Sequence, residues 1–433
     1  MKPPITPHRN HGKAQLLVDA AVKRMRALHA QGHYAQSLDI CLQIIGRHPK
    51  IADAWSDAAV NSTKLERWQD AIRYGNTALK LGSKTLALFD ALAHVHGHLR
   101  QWDEMRRYGL QALNMRAQRF GGEPPLPAPA PGPLPPLPSA QTREHNIIAF
   151  SLFGGNSKYC EPAVLNVLEQ PHIYPHWVCR FYVDDSVPEH VTRRLREGGA
   201  QVVAVDATAA RWPGPMWRFL VLDDPQMHRA LFRDADSVIS QREAEAVHAW
   251  LDSGKRFHVM RDNGSHTELM LAGLWGVVSG SLPPLAQLMQ RFLSAPIESA
   301  HFADQYFLRK YIWPYARASL LQHDSMFGFM NGIPFPSGAR PDDFHVGYAE
   351  GSPFFTAQSN LPEGSQVIWE LSLIETPQNG EPPREQQICA YPGTVENGAV
   401  VAHLPARYAR RLQQGTARIR VVSSPGTADN GAP

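Results

Sequence analysis

The chain lacks an excess of either charge, an apolar run long enough to cross a membrane, and any paired arrangement of its few cysteines. Lys and Arg together number 43 against 40 for Asp and Glu, a net charge of +3. A dedicated binder of nucleic acid or of an anionic membrane shows a basic excess or cluster, so the near balance argues against both. A membrane helix needs roughly 18 consecutive apolar residues, and no stretch of the sequence approaches that. Cys41, Cys160, Cys179 and Cys389 form no C-x-x-C pair, which excludes a disulfide framework and reads as ordinary thiols of a reducing compartment. Residues 1–12 are polar and proline-bearing, without the apolar centre of a secretory signal. The expectation is a soluble, cytoplasmic protein with no membrane span and no nucleic-acid partner. With 433 residues, 43% of them hydrophobic, the chain has the length of two or three domains.

Proline is distributed unevenly. In residues 122–140, nine of nineteen are proline. Proline fixes φ and supplies no backbone donor, so this tract reads as extended polyproline II, a semi-rigid spacer rising about 3.1 Å per residue. It divides the chain.

Before it, the sequence repeats. Tyr34, Trp68 and Trp102 stand 34 residues apart, as do Ser37, Ala71 and Met105, then Cys41, Gly75 and Gly109, then Ile44, Ala78 and Ala112. A 34-residue period with small residues where two helices must approach is the tetratricopeptide signature. Trp55, Ala58 and Ala59 make the middle unit the best fit, and Pro49 closes the first. Each unit is expected to be a helix pair that buries its apolar face by stacking on a neighbour, with the repeat aromatics in the core. Ser37 and Met105 depart from the small residue usual at that position, as end units do. Arg26, His29, Asn61, His94 and His96 are candidates to face the groove of such an array, and nothing identifies its guest.

After the tract, strands alternate with helices. Residues 146–153 read as a buried strand followed by Gly154 and Gly155. A helix at 161–169 leads to a strand at 177–183 ending in Asp184 and Asp185. A helix at 189–197 leads to a strand at 201–205 ending in Asp206. A fourth strand, at 229–233, runs into Asp234-Ala235-Asp236. This alternation implies a mainly parallel sheet covered on both faces. Ligands of such sheets bind at the strands' carboxyl ends, here an edge rich in carboxylates. Side chains alternate along an extended segment, so Asp234 and Asp236 share one side and supply the hard oxygens that suit Mg²⁺ or Mn²⁺ with substrate phosphates. Ser240 and Glu243 then form a capping box that opens a helix toward Trp250.

At this point the sequence resembles a family. F-R-D-A-D-S (Phe232 to Ser237) with S-Q-R-E (Ser240 to Glu243) resembles the metal-site region of bacterial GT-A glycosyltransferases. In order along the chain, Y-V-D-D-S-V-P (Tyr182 to Pro188), M-W-R-F (Met216 to Phe219), F-H-V-M-R-D (Phe257 to Asp262), L-A-G-L-W-G (Leu271 to Gly276) and A-D-Q-Y-F-L (Ala303 to Leu308) agree with it. The resemblance covers about residues 145–350. It implies a metal-dependent glycosyltransferase that takes a nucleotide sugar, a UDP-sugar foremost, with Mn²⁺ or Mg²⁺ held by Asp234, Asp236 and a late histidine, His323, or His345 in reserve. On the same picture Phe150 to Phe153 and Tyr159 line the nucleotide pocket, and Asp184 or Asp185 meets ribose or base. Arg218, Arg233 and Arg261 are diphosphate or sugar contacts, with ion pairs to nearby aspartates the alternative. Asp262 and Asp304 are sugar-hydroxyl ligands or a catalytic base, and Asp304 could instead cap a helix. Trp217 and Trp275 read as core.

From about residue 360, strands at 366–373, 389–391, 399–403 and 417–422 suggest a small β-rich extension, and 423–433 a tail without fixed structure. The expected architecture is multidomain. An all-α tetratricopeptide array spans 13–120, a Pro-rich linker 121–143, an α/β GT-A domain 144–355 and a β-rich extension 356–425. Its acceptor would be a protein or peptide docked by the repeats. Asp-x-Asp admits a second reading, a haloacid-dehalogenase-type phosphohydrolase with Asp234 as nucleophile and Asp236 as acid/base, and a third is a non-catalytic repeat scaffold with a degenerate transferase fold.

Overall fold

The computed structural model describes residues 8–130, 132–297, 299–340, 344–375 and 382–423. The tail expected at 423–433 lies outside them from residue 424 onward. Two compact units emerge, neither a single stretch of chain. The first comprises the described residues of Met1–Glu123 with Met260–Leu271 and Gln322–Ala339; the second comprises those of Pro124–Val259, Ala272–Leu321 and Arg340–Pro433. The division differs from one made at residues 120 and 144, because segments from the α/β part of the sequence complete the helical unit.

In the first unit the 34-residue period appears as three helix pairs: α1 (His8–Ala30) with α2 (Tyr34–Arg47), α3 (Ala52–Lys64) with α4 (Trp68–Lys80), and α5 (Leu86–His98) with α6 (Trp102–Phe120). Cys41, Ala71, Ala78 and Ala112 are buried, as their spacing requires. At Gly75 an added Cβ would lie 2.7 Å from Leu92 Cδ2, so α4 approaches α5 this closely only without a side chain there. Ser37 is fully buried and donates to Met25 O at 3.0 Å, which satisfies its hydroxyl. The period-setting aromatics are not core. Tyr34, Trp68 and Trp102 open the second helix of each pair: Tyr34 and Trp68 are half-buried, Trp68 stacks on His98 at 4.1 Å, and Trp102 is 43% exposed.

The two later segments close this unit. Arg116 forks onto Asp90 through two 2.8 Å bonds and reaches Glu268 at 3.1 Å. Thr267 also donates to Asp90, and Arg106 donates to Met326 O. An added Cβ at Gly109 would sit 2.1 Å from the Phe327 ring, so the third pair is shaped to receive that phenylalanine.

The second unit is built on a seven-stranded sheet of order β3-β2-β1-β4-β6-β5-β7, of which the last residues of β5 and β7, from Met260 and Gln322 onward, belong to the first unit. Its strands are β1 (Asn146–Leu152), β2 (Val178–Val183), β3 (Gln201–Ala204), β4 (Arg229–Phe232), β5 (Phe257–Arg261), β6 (Trp275–Val278) and β7 (Leu320–Asp324). β1 to β4 are mutually parallel, as expected, while β6 runs antiparallel to both β4 and β5. Helices α7 (Ser157–Ile173), α8 (Glu189–Glu197), α9 (Gln241–Asp252) and α10 (Leu285–Leu293) connect and cover it, with α11 (Ala303–Phe307) and α12 (Trp313–Ala316) leading into β7. α7 starts four residues before the sequence suggests because Asn156 caps it, accepting from Lys158 N at 2.9 Å. Ser240 caps α9, but the return half of the box is missing, since the Glu243 carboxylate turns inward to Arg233.

The C-terminal strands were expected as an extension; they share the core of the sheet. β8 (Phe354–Gln358) pairs with β11 (Ala399–His403), and β9 (Gln366–Glu375) pairs with both β10 (Arg384–Thr394) and β12 (Ala417–Ser423). A helix the sequence did not signal, α13 (Ala406–Gln413), precedes β12. Trp369, Leu371 and Tyr391 belong to the same apolar cluster as Phe150, Val164 and Phe181. Tyr391 donates to the fully buried Glu161 at 2.6 Å, and Arg194 grips the same carboxylate at 2.6 and 3.1 Å.

Nor is the proline tract a bare spacer. A polyproline II segment leaves its carbonyls without internal partners, and here the second unit supplies them: Arg229 donates to Pro135 O and Pro136 O at 2.9 and 2.6 Å, Arg291 to Pro125 O, and Tyr315 to Leu126 O. Arg229 is 3% exposed, and burial lowers its pKa to about 10. Removing its two charged hydrogen bonds in Arg229→Met, with partial relief from losing a desolvated charge, is expected to cost about 1–2 kcal/mol. Thermolysin cleavage within residues 121–143 should quicken accordingly, and wild-type cleavage rates in the variant would show that the tract is held by other means.

Candidate functional site

In the sheet order, β1 and β4 are neighbours, with β2 and β3 leaving on one side and β6, β5 and β7 on the other. The connection reverses between β1 and β4, and the crevice at the carboxyl ends of such a pair is where open α/β sheets bind ligands. β1 runs out into Phe153 and Gly154, and β4 into Arg233 and Asp234.

The acidic pair is held from beneath. Ser151, on β1, accepts from Arg218 N at 2.9 Å, fixing the segment Gly214–Asp223 over the strand ends. From there Arg218, 3% exposed, donates to Asp234 Oδ1 and to Asp304 Oδ2, each at 2.6 Å, and to Arg233 O at 2.8 Å. Burial alone would lower the Arg218 pKa; the two carboxylates outweigh it and raise it. Asp234 remains 53% exposed. On its other side an added Cβ at Gly273 would lie 2.1 Å from Asp234 Oδ2, so only glycine leaves that oxygen room. Asp236 is half-buried, and burial, with Asp234 beside it, raises its pKa to about 6; Lys158 opposes the shift. Its carbonyl accepts from Gly351 N at 3.1 Å.

Two nearby carboxylates, one of them driven toward protonation, form a site short of positive charge. They suit a hard divalent cation that leaves most of its coordination to water and substrate oxygens. Among the described residues, however, no group of three His, Cys, Asp or Glu is arranged to hold a metal ion. His323, expected as a third ligand, is fully buried in the first unit with its ring 5.6 Å from Phe335. His345 is half-buried, its Nδ1 3.0 Å from Val346 O. Among the described residues no histidine therefore joins Asp234 and Asp236 as a third ligand.

Other expected site residues separate into exposed and interior groups. Phe153 (42% exposed) and Tyr159 (36% exposed) lie open beside the end of β1, with Phe153 edge-on to Trp217 at 5.5 Å. Phe150 instead points into the core against Phe181. Asp184 accepts from Ser186 N, and Ser186 Oγ accepts from Gly154 N, so Asp184 ties the ends of β1 and β2 together; Asp185 is exposed. Asp206 caps the following turn through Thr208 N and Ala209 N. The carboxylate-rich edge thus shrinks to Asp234, Asp236 and Asp185.

Arg233 and Arg261 are not presented to a ligand. Arg233 is 1% exposed and donates to Glu243 at 2.8 Å and to Phe232 O. Arg261, in the first unit, is fully buried on Glu268 O and Gln322 Oε1, and burial lowers its pKa to about 10 despite Asp324. Asp262 is likewise fully buried in the first unit, which removes it from the groups able to meet a substrate. Asp304 is 6% exposed, with burial raising its pKa against Arg218, and both its oxygens are engaged, Oδ1 by Gln305 N at 2.8 Å. Trp217 and Trp275 are core, as expected. Gly273 and Lys158 were missed as site residues. Gly273 does lie within the quoted block Leu271 to Gly276; Lys158 carries no signal beyond following β1.

In the first unit His29 Nδ1 meets Asn61 Oδ1 at 2.9 Å, while His96 is buried and stacked on Tyr108. Burial lowers the His94 pKa.

No protein-family model matches the chain, and no curated protein matches it. Among solved structures it is similar to a point variant of the Thermobaculum terrenum O-GlcNAc transferase, at 15% identity and a TM-score of 0.29. That likeness covers 50% of this chain and 45% of the other, so the chain spans less than half the length of that structure. No helix among the described residues is long and apolar enough to cross a membrane.

Proposed function

We propose that the protein is a metal-dependent glycosyltransferase of the GT-A kind, moving a sugar from a nucleotide sugar, a UDP-sugar foremost, to a protein or peptide acceptor engaged by tetratricopeptide-like repeats. The observation that carries this reading is the Asp234-x-Asp236 pair at the crevice between β1 and β4, with Arg218 beneath it and Gly273 beside it. Mn²⁺ or Mg²⁺ held by the two carboxylates would neutralise a diphosphate as it leaves. The chain's own part is to orient the pair. Arg218 fixes Asp234 Oδ1 and leaves Oδ2 directed past Gly273, and Asp304 holds the far arm of the same guanidinium. Asp304 is accordingly a positioning residue. Phe153 and Tyr159 offer exposed rings to a base or sugar at the end of β1. A haloacid-dehalogenase-type phosphohydrolase would place its nucleophile after the first strand, whereas Asp234 follows β4.

The test is thermal denaturation of the full chain with each nucleoside diphosphate and nucleotide sugar, in Mn²⁺, Mg²⁺ or chelator. A ligand at a hundred times its Kd stabilises the folded state by about 2.7 kcal/mol. One nucleoside diphosphate should raise the midpoint only with metal, and the rise should vanish in Asp236→Ala. If none stabilises the protein under any condition, the reading fails.

A further inference from the structure

α13 and the second half of α7 enclose a cleft of about 590 Å³ that the proposed transfer chemistry does not use. Its apolar wall opens at Leu168, which is 55% exposed, while Leu165 and Tyr408 behind it are buried in the core. Arg407, Arg410 and Arg411 form the other wall; at spacings of three and four they share one face of the helix. A second cleft of about 310 Å³, lined by Val238, Ser240 and Tyr348, adjoins the first through Arg407 and Arg410.

The three arginines are not equivalent. Arg407 is fixed, donating to Glu169 at 2.6 Å and to Glu350 at 3.3 Å. Arg410 is exposed and Arg411 half-buried, and among the described residues neither forms an ion pair. Two guanidinium groups of like charge, one turn from a third, repel. Their position in the last turn of α13 favours the helix dipole, but that does not account for bare leucine facing them across a cleft. Unpaired guanidinium opposite apolar surface is complementary to carboxylates carried on an apolar chain. Glu169 and Glu350 lie in the same walls and would repel a polyanion such as a nucleic acid or a polyphosphate, which needs an unbroken basic surface.

We propose that this double cleft binds an acidic peptide segment in extended form, its carboxylates on Arg410 and Arg411 and an apolar side chain on Leu168. The site goes beyond the transferase reading and does not depend on it, because binding is read without a nucleotide sugar. The experiment is fluorescence anisotropy of a fluorescein-labelled peptide of alternating glutamate and leucine, titrated with the full chain. A peptide with lysine in place of glutamate is the control. Binding should weaken as salt shortens the Debye length below about 10 Å, be absent for the lysine peptide, and fall at least tenfold in Arg410→Glu/Arg411→Glu. Should that double variant lose its native circular dichroism, Arg410→Ala, at an exposed position, should still weaken binding roughly threefold. Asp234→Asn should bind the peptide as the wild type does, which separates this site from the acidic pair. No binding, equal binding of the lysine peptide, or undiminished binding by the folded arginine variants overturns the proposal.

Discussion

Replacing Asp234 by Asn is expected to lower sugar transfer by about a thousandfold or more, equivalent to roughly 4 kcal/mol of transition-state stabilisation, while the protein melts within about 1 °C of wild type. Both halves of that expectation come from the site. Asp234 is 53% exposed, and Asp304 remains as a counter-charge for the buried Arg218, so losing the Asp234 charge costs little in folding. Asparagine keeps an oxygen for Arg218 Nη1, so the guanidinium stays on Asp304 and the segment over β1 stays seated. What disappears is the negative oxygen beside Gly273, the atom free to take a cation. Transfer would be followed by release of nucleoside diphosphate once the donor is known from the thermal panel. Unchanged turnover in Asp234→Asn would remove the acidic pair from the chemistry.

Glu243→Ala should have the largest effect on stability. The side chains of Arg233 and Glu243 are each 2% exposed and meet at 2.8 Å, with the Tyr174 hydroxyl on the same carboxylate at 3.3 Å. Removing Glu243 leaves a buried guanidinium without its counter-charge, at a cost of about 3–5 kcal/mol, and a phenol without its acceptor. Replacing the whole set with apolar groups removes both problems, so Arg233→Met/Glu243→Leu/Tyr174→Phe should recover most of the loss. Urea unfolding followed by tryptophan fluorescence distinguishes the two, since Trp177, Trp250 and Trp275 lie in the same unit. A triple variant as unstable as the single one would mean that packing, not the isolated charge, sets the cost.

These residues also mark where sequence reasoning reached and where it stopped. Strand-helix alternation made β1 to β4 legible because short continuous apolar runs, buried on both faces of a parallel sheet, and capping residues such as Ser240 are local signals. The acidic pair was expected on an extended segment of β4, whereas the strand ends at Phe232 and Asp236 already lies in the turn that follows. Arg233, adjoining Asp234, looked equally available, but its burial depends on Glu243 and Tyr174, which only the fold brings near. Arg261 and Asp262 share that fate. A charged residue in sequence carries no mark of whether its partner is solvent, ligand or the interior. Of the C-terminal strands β9, β11 and β12 were found with nearly correct bounds, β10 only as its centre and β8 not at all, and their fusion with the sheet rests on Tyr391 reaching Glu161 across 230 residues. No periodicity encodes such a contact.

The composite make-up of the first unit sets a timetable for synthesis. The third helix pair is complete by residue 120, but the segment carrying Phe327 follows roughly 200 residues later, and at about 5–20 residues per second that is an interval of ~10–40 s. Throughout it the notch at Gly109 stays vacant, and until residue 268 has been made Arg116 also lacks Glu268. The repeats, translated ahead of the sheet, are thus among the last parts of the molecule to reach their final form, and for that interval a chaperone would meet a half-finished array.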